Sequence, residues 1–266
     1  MKRYLWDFIT AFDELAVVLE RPSSDWRLYG RLIDTIMHTA SLVQIDDVQA
    51  HAVRSYLADR SIMMRHRFQQ AIFMFERLCA EDYIRDRVEL KEIVSHRYRT
   101  LVSHELAFLR EHIDSGKGHL LFIGTSPFPI SAIIYCSLYP NLTVDIIEVS
   151  REQVEVTREV VHRAGVGRQV RILQEGDRPT DDIYSCILMP PTLGISEKEK
   201  FHFLKILCST VPPGVLFLIR SASRSLVSTC LYAPFPEREV RESLDDIFLL
   251  NSHDEVPISS SLFMKL

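Results

Sequence analysis

Between residues 119 and 219 five short apolar runs, HLLFI, TVDIIEV, QVRIL, YSCILM and GVLFLI, alternate with segments of helical period, among them 150–164 and 196–210. This alternation constrains the fold more than anything else in the chain, because strands separated by helices assemble as βαβ units into a parallel sheet. Near the C-terminal end, DDIFLLN and SSSLFMK are separated by a loop containing Pro257 and leave no room for a crossover helix. These last two runs are therefore expected to pair antiparallel.

Five parallel strands followed by an antiparallel pair is the strand order of the class I S-adenosylmethionine (SAM)-dependent methyltransferase sheet. A dinucleotide-binding sheet lacks that final hairpin. The first 114 residues have a different texture, with one proline, Pro22, and one glycine, Gly30. Leu5, Phe8, Ile9, Phe12 and Leu15 show the three- and four-residue spacing of a helix. Ser23, Ser24 and Asp25 after Pro22 form a stop-and-restart signal, and 61–86 and 88–113 read as two further amphipathic helices. The expectation is an α/β chain: an all-α helical bundle or lid domain over 1–114, then a Rossmann-like, methyltransferase-like domain over 115–266, with the change at Ser115-Gly116-Lys117-Gly118.

Composition narrows the partners. A net charge of −5 supplies no positive field for a nucleic-acid backbone, so none is expected as partner. No apolar run approaches the ~18–20 residues that span a bilayer. The start, MKRYLWDFITAFDEL, carries acids within its apolar stretch and makes a poor signal peptide. Five scattered cysteines, with no C-x-x-C pair, read as reduced core thiols of a cytoplasmic protein. His96, His104 and His112 recur every eight residues but lie too far apart to share an ion, so no metal is expected. Trp6, Phe8 and Phe12 would serve equally as a homodimer face or as the buried side of a helix.

In a doubly wound sheet the ligand sits beyond the carboxyl ends of the strands, at the first strand–helix turn. Here that turn is Gly124-Thr125-Ser126-Pro127-Phe128-Pro129. A G-x-G-x-x-G loop would place glycines where this one has Ser126 and Pro129, and each proline removes an N–H from the helix start. The loop is ill-suited to a phosphate and better suited to a phosphate-free nucleoside such as SAM. Glu148, beside Val149 and 24 residues beyond Gly124, stands where an acid accepts from both ribose hydroxyls. Gly176 and Asp177 fit the adenine edge, and Met189 and Pro190 follow the fourth strand along the same rim. Singly, each is an ordinary loop residue; in register they favour a nucleoside site.

IGTSPFPISAIIY is similar to the IGSGPLP-type loop of nicotianamine synthases, and LFLIRSASRSLVSTCLY over 216–232 resembles their strand-five segment. Phe75-Glu76-Arg77-Leu78-Cys79 resembles the family's helical Glu-x-Leu-Cys, and residues 98–105 keep its Tyr, Leu and Glu spacing. The resemblance spans roughly residues 70–232, and in length the chain looks closer to the bacterial enzymes that make opine metallophores of the staphylopine and pseudopaline type. It implies transfer of the 3-amino-3-carboxypropyl group of SAM, a co-substrate, to the amine of an amino acid, histidine, with release of 5′-methylthioadenosine. It also implies that an opine dehydrogenase consumes the product.

By the same resemblance Glu76 deprotonates the acceptor ammonium and Tyr98 positions SAM or the attacking nitrogen. Thr192 and Leu193 line the acceptor pocket, within a Met-Pro-Pro-Thr run that departs at both ends from the Asn/Asp-Pro-Pro-aromatic motif of some amino-methyltransferases. The Arg220 fork matches a carboxylate, whether of SAM's arm, of the acceptor or of an internal acid. The alternatives are a small-molecule N- or O-methyltransferase on the same sheet, and a SAM-binding scaffold without turnover.

Overall fold

No proline or glycine stands between Gly30 and Gly116, so nothing there forces a helix to end. Helix α3 accordingly runs unbroken over Asp47–Ile84, starting well before the expected 61. Ahead of it lie α1 (Lys2–Glu20) and α2 (Trp26–Leu42). Between these two, Asp25 caps α2 by accepting from the Arg27 amide at 3.0 Å, as the stop-and-restart signal implied. The helix expected over 88–113 is two: α4 (Leu90–Ile93), opened by a Glu89/Glu92 capping box, and α5 (His96–His112). They part at Val94, which turns extended at φ −84° and ψ 107°. The computed structural model describes residues 2–43, 47–94, 96–113, 118–124, 127–148, 150–174, 184–223, 227–235, 240, 246–250 and 258–264.

The sheet follows the alternation. Strands β1 (His119–Ile123), β2 (Thr143–Ile147), β3 (Val170–Leu173), β4 (Cys186–Met189) and β5 (Leu216–Ala222) are parallel. Helices α6 (Ile130–Leu138), α7 (Arg151–Arg163) and α8 (Glu197–Thr210) intervene. Strands β6 (Asp246–Leu250) and β7 (Ile258–Met264) pair antiparallel, and β7 inserts against β5 to give the order β3-β2-β1-β4-β5-β7-β6.

Strand alternation divides the core. Leu120, Phe122, Leu188 and Leu218 face a cluster shared with α5, α6 and α7, whereas Leu121, Ile187, Met189 and Phe217 face one built on Leu204 of α8. A third cluster joins Phe8, Phe12, Ile36 and Phe68 of the first helices to Leu231, Tyr232 and Ile258. Each fully buried Phe or Leu contributes about 1.5–3 kcal/mol. Phe8 and Phe12 are thus core residues and face no partner; of the three aromatic residues on α1 considered for a dimer face, Trp6 alone is exposed, at 66%. Cys79, Cys136, Cys186 and Cys230 are buried too, and burial pushes their thiols up, Cys230 to about 11. None of these is an activated nucleophile.

Candidate active site

The carboxyl ends of β1, β4 and β5 open into a cavity roofed by the first helices. Gly124 begins the loop after β1 in the left-handed region, at φ 64°, where a side chain is disfavoured, and its amide donates to Ile147 O at 3.1 Å. Pro129 caps α6 and brings no N–H to that helix start, which fits a phosphate-free ligand. From the helical side come Gly30, Asp34, Ile72, Phe75, Glu76 and Tyr98; from the sheet side, Gly124, Phe128, Ser131, Leu188, Pro191, Thr192, Arg220 and Tyr232. The cavity volume bounded by the described residues is about 200 Å³, below the ~300–1,000 Å³ usual for small-molecule sites. Part of the anticipated rim, Thr125, Ser126, Val149, Gly176 and Asp177, lies outside the described residues.

Under the cavity lies a buried ion pair. Arg220 Nε and Nη2 donate to Glu105 Oε1 and Oε2 at 2.9 and 2.6 Å, and the two residues are 3% and 1% exposed. Tyr135 and Ser260 hydroxyls also donate to this carboxylate. Burial pulls the guanidinium down, but the Glu105 carboxylate outweighs it and holds Arg220 above its ordinary range. The remaining nitrogen, Nη1, donates to Tyr98 Oη at 3.0 Å and Ser131 Oγ at 2.8 Å, and those two hydroxyls lie 2.5 Å apart. The Arg220 fork is thus taken by an internal acid, and its outward contribution is to hold Tyr98 and Ser131 at the cavity floor.

Of the anticipated site residues, Glu76, Tyr98, Gly124, Pro190, Thr192 and Arg220 line the cavity together. Met189 does not: the two-residue strand period sends its side chain to the α8 face and gives its place to Leu188. Leu193 likewise packs towards the α8 cluster. Pro127 and Glu148 are buried beside the cavity without lining it, and Glu148 Oε1 accepts from the Ser150 amide at 2.9 Å.

Residues not singled out from the sequence complete the site. Tyr232 lines the cavity at 2% exposure, and burial together with Tyr98 and Glu76 pushes its phenol up, so it stays protonated. On α3, Gln69 donates to Thr192 O at 3.1 Å, and Arg65 donates to Ile195 O at 2.7 Å and Thr229 O at 2.6 Å. Arg65, Gln69, Ile72 and Glu76 form one helical stripe. Among the described residues no group of three or more His, Cys, Asp or Glu is placed to hold a metal, and no helix is long and apolar enough to cross a membrane.

Solved structures share this architecture. MtNAS, the nicotianamine synthase of Methanothermobacter thermautotrophicus, in complex with MTA and tNA, superimposes with a TM-score of 0.72 at 17% identity, over 98% of each chain. A Glu→Gln mutant of MtNAS in complex with SAM gives 0.68 at 16% identity, over 96% of this chain and 98% of that one. A METTL16 methyltransferase domain gives 0.50 at 13%, over 65% and 84%. The fold is that of the class I SAM-dependent methyltransferases. MtNAS matches it over the first helices as well as the sheet. No protein-family model matches the chain, and no curated protein matches it in sequence.

Proposed function

We propose that the chain is a nicotianamine synthase-like transferase. In this reading it moves the 3-amino-3-carboxypropyl group of SAM to the amine of an amino acid, histidine, and releases 5′-methylthioadenosine, in the making of an opine-type metallophore. The observation that carries the reading is that a carboxylate and a phenol from the helices preceding the sheet, Glu76 and Tyr98, open on the same cavity as the β1 loop. MtNAS, with the same fold, is a nicotianamine synthase seen with SAM and with MTA and tNA. Residues 1–114 then act as a lid over a SAM-binding unit, 115–266, in the cytoplasm, and the product passes to an opine dehydrogenase.

SAM brings an electrophilic γ-carbon next to a positively charged sulfur, so departure of the thioether needs little acid assistance. The acceptor nitrogen forms its bond to that carbon as the carbon–sulfur bond breaks, and the electron pair leaves on sulfur. What the protein supplies is a base, an orientation and a dry site. Glu76 takes the proton from the acceptor ammonium. Tyr98, held by Arg220 Nη1 and Ser131, orients the reacting groups, and Gly124 with Pro190 borders the nucleoside. Ile72, Phe75 and Phe128 exclude water, and Thr192 borders the acceptor. A helical lid of this kind also covers the methyl carbon and leaves the longer arm to the nucleophile.

Glu76→Gln tests the assignment. Turnover is expected to fall ~10²–10⁴-fold, the usual cost of losing a general base, while SAM affinity by calorimetry stays within a few-fold of wild type. Full activity in the variant contradicts the role given to Glu76.

A further inference from the structure

Lys200 is an anomaly of burial: it projects from α8 at 0% exposure, and among the described residues no carboxylate pairs with it. Its Nζ donates to Arg220 O at 3.0 Å and Pro191 O at 3.4 Å. These carbonyls belong to the end of β5 and to the loop after β4, the two segments that carry Arg220 and Thr192 into the cavity. Gln69 donates to Thr192 O and Arg65 to Ile195 O. Three long side chains from two helices thus hold three carbonyls of one short loop. The loop is also moulded on Lys200 itself, because Gly194 stands at φ 77° and a Cβ there would meet the Lys200 amide nitrogen at 2.8 Å.

We propose that Lys200 is a positioning residue: with Arg65 and Gln69 it grips the backbone of residues 191–195 and fixes the separation between the β4 loop and the α3 face that carries Glu76. Its effect on turnover rests on the transferase reading above; its effect on the loop does not.

The chemistry of the amine fits this task. A neutral amine has two N–H groups, one for each carbonyl, and leaves no charge to solvate in a dry site. Burial first, and the Arg65 guanidinium second, push Lys200 down to about 7. The other charged or titratable groups around it are Glu197 and Cys230, which act on Arg65, and Arg220, whose guanidinium is neutralised by Glu105. Below pH about 7 the amine takes up a proton beside Arg65, and burying that charge costs stability.

The experiment compares wild type with Lys200→Gln, which keeps two N–H donors and cannot titrate, and Lys200→Met, which has none. Hydrogen exchange at residues 190–196 should rise at least tenfold in Lys200→Met and stay near wild type in Lys200→Gln. Because the folded amine titrates lower than the unfolded one, its contribution to stability grows with pH between about 7 and 10.5. Below ~8.5, before free thiols ionise, this term alone changes the wild-type unfolding constant by up to about tenfold per pH unit relative to either variant. In turnover with SAM and histidine, Lys200→Met should raise KM for histidine and lower kcat/KM by roughly 10²-fold, and Lys200→Gln should recover most of that loss. Unchanged exchange at 190–196 in Lys200→Met overturns the proposal. If Lys200→Met does not fold, exchange at 190–196 in Lys200→Gln still decides it, a tenfold rise there despite the retained donors overturning the proposal. If wild type releases no 5′-methylthioadenosine, the transferase reading fails, and exchange still decides the role of Lys200.

Discussion

Removing the charge of Glu105 should be one of the costliest single changes outside the hydrophobic core. The carboxylate is 1% exposed and receives four donors: Arg220 Nε at 2.9 Å, Arg220 Nη2 at 2.6 Å, Tyr135 Oη at 3.1 Å and Ser260 Oγ. Glu105→Gln preserves shape but turns one acceptor oxygen into an NH₂ facing donors, and it strands the Arg220 cation at 3% exposure. Breaking one side of such a pair costs about 3–5 kcal/mol, whereas replacing both sides by apolar groups is often neutral. For a chain of this size each kcal/mol lowers Tm by roughly 2–4 °C, so a fall of roughly 6–20 °C is expected. Scanning fluorimetry and urea denaturation measure it, with Arg220→Met and the double variant Glu105→Leu/Arg220→Met beside it. The double variant should be more stable than either single yet inactive, because Tyr98 and Ser131 lose the Nη1 donor. A Tm for Glu105→Gln within ~2 °C of wild type, less than 1 kcal/mol on this scale, refutes the reasoning, as does a double variant no better than the singles.

Asp145 on β2 offers a pH test remote from the cavity. Burial raises its carboxyl, but bonds from Arg171, Tyr184 and His119 outweigh that and hold it below its usual range. A carboxyl lowered on folding adds stability above its unfolded pKa and loses it as pH falls through the folded one. Urea midpoints of wild type should therefore fall between pH ~4 and lower values more steeply than those of Asp145→Asn. Gly124 and Gly194 share a positive φ, but a Cβ meets nothing within 4 Å at Gly124 and backbone at 2.8 Å at Gly194. Gly124→Ala should cost only the left-handed penalty of about 1–2 kcal/mol. Gly194→Ala should cost clearly more in the same denaturation assay, and should raise exchange at 190–196.

The framework of the fold was legible because strands declare themselves by short apolar runs between turn residues. All seven expected strands form, including the terminal pair with Pro257 in its connection. Helix ends were less legible where no breaker marks them: α3 begins before the expected start, and the break at Val94 falls in a stretch without Gly or Pro. In the site, Glu76 and Tyr98 were legible through the family resemblance, since a helix carboxylate and a core-edge tyrosine are ordinary by themselves, and Arg220 through its fork at the end of the fifth strand. Ser131 and Tyr135 lie in the apolar run ISAIIYCSL of α6 and drew no reading by themselves; their polar atoms became meaningful only once β5 and β7 brought Arg220 and Ser260 beside them. Arg65 and Lys200 were hidden for the opposite reason, since a cation on an amphipathic helix ordinarily belongs to the solvated face. The Met189 side chain turns to the α8 side because the strand that carries it alternates every two residues, which a motif read along the chain does not show.

The central claim concerns which carbon of SAM is attacked, and the nucleoside left behind reports it directly. Purified protein incubated with SAM and histidine, followed by chromatography and mass measurement of all products, should yield 5′-methylthioadenosine and a histidine derivative heavier by one aminobutyrate unit. S-adenosylhomocysteine with a methylated acceptor contradicts the account and makes the protein a methyltransferase; SAM returned intact, although bound, makes it a SAM-binding scaffold.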